Sequence, residues 1–163
     1  LSVGLIGIGN ILMQDESLGV NAVKAVSERY TCPPGLEIID GGTLGLDLLP
    51  VFERFEKVIF VDAVNFGKEP GHIGTLEDDE IQAVLFPKIS VHHIGLADLL
   101  SVAMLKGVMP RKVCLIGMQP SSLEPGFGLE MSETVNANME SLVAVILQKL
   151  EEWGVAPPEG QYA

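Results

Sequence analysis

Val3 to Ile8 is an apolar run that stops at Gly9-Asn10. Beyond it, Gly19, Ala22, Val23, Val26 and Tyr30 fall at i, i+3, i+4, i+7 and i+11, the spacing of one helix face. Strand, tight glycine turn and helix make the opening of a βαβ unit, which commits the chain to a sheet with parallel strands. Ligands of such sheets sit beyond the carboxyl ends of the strands. There the sequence puts two adjacent carboxylates, Asp15 and Glu16. A nucleotide-binding turn would present bare backbone N–H groups at that place.

The rest of the chain keeps the alternation. Leu36 to Asp40 reads as a strand, and Gly41-Gly42-Thr43 as a second glycine turn with Thr43 placed to cap the next helix. Leu44, Leu48, Phe52 and Phe55 share a helical stripe in which Pro50 marks a kink or break. Lys57 to Asp62 is almost wholly apolar, as a strand covered on both faces should be. His72 to Leu76 suits an edge strand, and Glu77 to Glu80 an acidic turn or helix start. Leu96, Leu99, Leu100 and Ala103 set another helical stripe, and Arg111 to Gly117 another buried strand. After the loop Ser121 to Leu129, a last helix carries Val135, Met139, Leu142, Val143, Ile146, Leu150 and Trp153 on one face. The expected fold is a single α/β domain over residues 1–155, in three layers α/β/α, with 156–163 a mobile tail. Its twisted, mostly parallel sheet should have about five strands, one of them antiparallel at an edge.

The formal net charge of −12 speaks against nucleic acid and anionic membrane surfaces, which are bound through lysine and arginine. No apolar stretch reaches membrane-spanning length, and the apolar start lacks the basic flank of a signal peptide. Cys32 and Cys114 form no Cys-x-x-Cys motif, and Cys114 lies in the apolar run Val113 to Ile116, where a small buried hydrophobe is expected. A reducing, cytoplasmic setting is the expectation.

Three strand ends carry acids: Asp15-Glu16, Asp40 and Asp62. Parallel strands bring those ends to one edge, where like charges repel and call for a cation or a raised pKa. His92 and His93 open the helix near Leu96, and imidazole with carboxylates makes a donor set for zinc or nickel-type ions. Neighbouring residues diverge, so only one of the two histidines can face such a site. His72 has no partner in sequence and reads as structural or exposed. The third glycine of a dinucleotide turn is replaced by Leu12, and Gly-x-Ser-x-Gly and His-Glu-x-x-His are both absent. On the residues alone, a metallopeptidase with its own ion and a non-catalytic nucleotide or small-molecule module both stay open.

Gly7-Ile8-Gly9-Asn10, Asp15-Glu16 before Gly19-Val20, Asp40-Gly41-Gly42-Thr43, Val61-Asp62-Ala63, and His92 before Gly95-Leu96-Ala97-Asp98-Leu99-Leu100 are collinear with one family. Together they resemble the [NiFe]-hydrogenase maturation endopeptidases. The resemblance implies a twisted sheet flanked by helices. It implies a peptidase that removes the C-terminal extension of a hydrogenase large subunit after nickel insertion. It further implies Glu16, Asp62 and His92 as contacts to nickel supplied by the substrate, a site that zinc or cadmium can fill in vitro. Asp40 matches a residue linked to substrate handling or base catalysis, and Glu16 is the other candidate base. His93 stands where relatives often carry glutamine, so it is not the expected ligand. The implied partner is the large-subunit precursor.

Overall fold

The protein is described by a computed structural model over residues 2–85 and 94–159. Its strands are β1 (Val3–Ile8), β2 (Leu36–Gly42), β3 (Lys57–Ala63), β4 (Ile73–Glu77) and β5 (Lys112–Met118). They form one sheet in the order β2-β1-β3-β5-β4. All neighbours run parallel except β4, which pairs antiparallel to β5 at the edge, as the sequence led us to expect. The helices are α1 (Leu18–Arg29), α2 (Leu49–Phe52), α3 (Asp79–Leu85), α4 (Ile94–Lys106) and α5 (Glu133–Glu152).

Each face of the sheet buries its own core. Leu5, Ile59, Val61, Cys114 and Ile116 meet α1 and α5 through Val23, Val26, Leu142 and Ile146. Ile6, Val58, Phe60 and Leu115 meet Phe52, Leu99, Leu100 and Ala103 on the other face. The central strand β3 is buried along both faces, which is why its sequence is apolar without alternation. Burial pushes the Cys114 thiol up to about 12, leaving it a packed, inert side chain.

The expected helix over residues 44–55 divides in two. A 3-10 turn spans Gly45–Leu48 and the four-residue α2 comes after it, with Pro50 in its first turn. Proline is tolerated there because that N–H has no intrahelical partner anyway. Thr43 does not cap this segment; Leu44 holds the cap position with no side-chain bond. Beyond α5 the chain runs back to α1, where Thr31 N–H donates to the Pro158 carbonyl and Glu159 bridges Tyr30.

Close packing of α1 on the strand ends depends on glycine. A Cβ at Gly19 would collide with the carbonyl oxygens of Val61 and Ile8. A Cβ at Gly7 would stand 2.5 Å from Val23 Cγ2 and 2.7 Å from the Gly19 carbonyl oxygen. Backbone cannot retreat as a flexible side chain can, so Gly19→Ala should lower unfolding free energy by at least about 2 kcal/mol in urea titration. Gly126→Ala, where an added methyl meets nothing within 4 Å, should leave the midpoint unchanged.

Candidate active site

The strand order makes a crevice. From β1 the chain passes to β2 through α1 on one face. It then crosses back over β1 to β3 through α2 on the other face. At such a switch point helices leave opposite faces, and the space between the ends of β1 and β3 stays open. Both central acids lie there. Glu16 sits in a 3-10 turn, Gln14–Ser17, that packs against the end of β3. Gly9, at φ 137°, lets that turn close: a Cβ there would overlap the Glu16 carbonyl oxygen. Glu16 itself is half-buried.

Asp62 is the penultimate residue of β3 and is 4% exposed. Its Oδ1 accepts the Ala63 N–H at 2.8 Å. Its place near the end of β3, the strand on which the Glu16 turn packs, is one from which a carboxylate can contact a cation.

Asp40 is placed differently. It pairs in register with Gly7, which pairs with Val61 on its other side. Side chains at one level of a parallel sheet share a face and alternate along each strand. Asp40 therefore stands at the same edge as Asp62 but one step back and on the opposite face, two strand spacings or about 10 Å away. It is exposed, and its Oδ1 accepts the Gly42 N–H at 3.0 Å, shaping the turn after β2. The sequence-level expectation that these acids share one edge holds, while Asp40 is not drawn into the Glu16–Asp62 crevice. His92 and His93 lie outside the described residues. Among the described residues, no three His, Cys, Asp or Glu side chains come together as a metal site. His72 is exposed and meets the Phe66 ring edge-on, with centroids 5.6 Å apart.

Asp15 has a role that adjacency to Glu16 concealed. It is 4% exposed and turned into the protein. Its carboxylate accepts the Ser132 N–H at 2.7 Å, the Ser121 N–H at 3.0 Å and the Ser132 hydroxyl at 2.9 Å. Ser132 in turn caps α5, accepting the Val135 N–H at 3.3 Å. Two backbone bonds extend the tie: Gln14 N–H donates to the Gly128 carbonyl, and Gly128 N–H to that of Leu12. Gln14 takes a left-handed φ of 52° to reach its place. The turn that carries Glu16 is thus clamped to the 121–132 loop. A serine just ahead of an apolar helical stripe is a readable cap signal. Its second bond, to an acid more than a hundred residues away, is not.

Comparison with known proteins decides the family. The hydrogenase maturation protease (HycI) family profile matches residues 20–149. The hydrogenase 2 maturation protease of Escherichia coli K12 is 42% identical over 152 residues, covering 93% of this chain and 92% of its own. The chain belongs to the hydrogenase maturation protease family. Its fold also matches the solved hydrogenase maturating endopeptidase HybD from E. coli, at a TM-score of 0.89 and 39% identity over 98% of both chains. The [NiFe] hydrogenase maturation protease HybD from Thermococcus kodakarensis superposes at 0.73 with 26% identity, covering 92% of this chain and 99% of that one. The protein is accordingly a protease, and a hydrogenase is what its family matures.

The Asp15 clamp gives this protease a specific weak point. Asp15→Ala removes the acceptor of two part-buried backbone donors and a hydroxyl, at about 1–3 kcal/mol for a group left unsatisfied. The expected outcome is a lower thermal midpoint with loss of protection in hydrogen exchange at 121–132. Exchange in β3, held by its own ladder, should keep its protection relative to global unfolding.

Proposed function

We propose that the protease removes the C-terminal extension of a [NiFe]-hydrogenase large subunit after nickel insertion, and that it reads the nickel carried by that substrate. The observation that supports this best is the meeting of the Glu16 turn with the end of β3, beside buried Asp62, at the β1/β3 switch point. Two carboxylates from distant stretches are brought by the fold alone to the place where such sheets bind ligands. The resemblance adds His92 as third contact, from the stretch preceding α4.

On this reading the nickel arrives as part of the substrate. Glu16, Asp62 and His92 take up positions on it that the large subunit leaves open, and the metal aligns the adjoining peptide. Carboxylates and one imidazole suit a nickel-type ion, and zinc or cadmium would fill the same contacts in vitro. A water then attacks the scissile carbonyl, its proton accepted by a carboxylate, and the C–N bond breaks as that proton is passed to the departing amine. Asp40 is the candidate for that base: it is exposed at the same edge and lies outside the crevice taken by the metal contacts. Glu16, if its hold on the metal is loose, is the other. Fixing the peptide by a metal that only a finished subunit contains would turn cleavage into a checkpoint.

Cleavage of purified precursor tests the reading. A nickel-loaded large subunit should lose its extension and a nickel-free one should not. Glu16→Ala, Asp62→Asn and His92→Ala should each reduce cleavage at least about a hundredfold, the loss typical when an aligning or charge-stabilising group is removed. Efficient cleavage of nickel-free precursor in the presence of a chelator would overturn the checkpoint.

A further inference from the structure

Seven of the nine large apolar side chains exposed among the described residues lie in loops and one 3-10 turn at the carboxyl edge of the sheet: Ile11, Leu12, Leu44, Leu46, Leu123, Phe127 and Leu129. Exposed apolar residues scattered singly call for no explanation, but a gathering on one edge does. The most open are Phe127 at 86% and Leu129 at 74%, with Ile11 and Leu12 at 53% and 51%. The two stretches that carry them are held side by side. The bridge between Met13 and Gly128, with its two backbone hydrogen bonds, lays residues 12–14 along 127–129, and Ile11 directly precedes them. The Asp15 carboxylate ties the turn to Ser121 and Ser132, on either side of the segment that carries Phe127 and Leu129. A cavity of about 290 Å³ lies next to these stretches, between the Asp15 turn and the 121–132 loop, lined by Gln14, Ser122, Pro125 and Met131 and by none of the four exposed apolar side chains.

The surroundings are acidic. Glu124, Glu130 and Glu133 are exposed around the patch, and among the described residues none of them pairs with a lysine or arginine. An apolar centre within a charged rim is the usual anatomy of a recognition surface. This patch is also continuous with the candidate site, since Leu12 and Glu16 belong to one short turn region clamped as a unit.

We infer that the seam of Ile11, Leu12, Phe127 and Leu129 is the docking surface for the hydrogenase large-subunit precursor, engaging an apolar face with a basic flank beside its cleavage segment. This rests on the function proposed above and adds a partner surface to it. Such a surface supplies binding energy away from the metal, so losing it raises KM and leaves kcat nearly intact.

The experiment measures binding and cleavage separately. The full-length Glu16→Gln protein, in which turnover is blocked and the patch is wild type, and the same protein carrying Phe127→Ser/Leu129→Ser are titrated calorimetrically with nickel-loaded precursor. Cleavage kinetics are then measured without Glu16→Gln, and sedimentation reports self-association. Both side chains are largely solvent-exposed, so the thermal midpoint should not move. The expected result is a Kd and KM raised at least about tenfold, with kcat within about twofold. Equal affinity of the two proteins would overturn the docking surface while leaving the cleavage reading standing. Wild type that binds, with Phe127→Ser/Leu129→Ser weakening it, but never cleaves would support the surface and overturn the cleavage reading. A wild-type dimer that the two substitutions dissociate would assign the patch to a second copy of this chain and overturn the proposal, as would wild type with no affinity for the precursor.

Discussion

Everything at the site depends on how near α1 comes to the strand ends. Gly19 lies so close to the carbonyl oxygens of Ile8 and Val61 that no side chain fits. Gly7 meets Val23 and the Gly19 backbone in the same contact. A helix seated that low leaves only a few residues to connect β1 to α1, and Glu16 falls among them. Were α1 to ride higher, the 3-10 turn would lose its support on β3, and Glu16 its place on that turn. The glycines that look like a phosphate-binding fingerprint thus serve close packing here. That accounts for acids standing at a turn where a nucleotide site would show bare N–H groups.

Much of this was legible in the sequence, and the reasons are local. Alternation of strand and helix periods, with β3 apolar throughout, is enough for a mostly parallel sheet covered on both faces. The edge placement of β4 agrees with its mixed polarity. The features that were not legible depend on register. Asp40 and Asp62 read as equivalent strand-end acids, yet pairing through Gly7 sets them one level apart, and one level in a strand is a change of face. No spacing within the sequence carries that information. The helical stripe after β2 divides close to the break that Pro50 marks, because apolar periodicity is the same for one helix as for two single turns.

Asp15 and Glu16 show how adjacency in sequence can hide opposite roles. In a 3-10 turn successive side chains diverge by about 120°, so one of the two must face the protein when the other faces the crevice. Asp15 points inward and its charge is met by two backbone N–H groups and a hydroxyl, the last from the residue that caps α5. Charge-assisted bonds to a buried carboxylate are among the stronger single contacts available to a fold. On the reading proposed here the pair is a clamp and a metal contact in consecutive positions. The precision of Glu16 depends on the anchoring of its neighbour.

The same clamp joins two kinds of recognition that differ in what they do to rate. Apolar contact along Ile11, Leu12, Phe127 and Leu129 is insensitive to whether a precursor holds metal. It stabilises the bound state and the transition state alike, and so sets occupancy without accelerating hydrolysis. Contact through Glu16 and Asp62, on the reading proposed here, exists only with a loaded precursor and acts by fixing the scissile peptide. Discrimination between loaded and empty subunits must then come from the second kind alone. A strong apolar surface would even work against it, by holding empty subunits as firmly as finished ones. A patch of a few side chains, moderate in area and ringed by acids, is consistent with that limit: enough to present the cleavage segment, too little to hold it there without the metal.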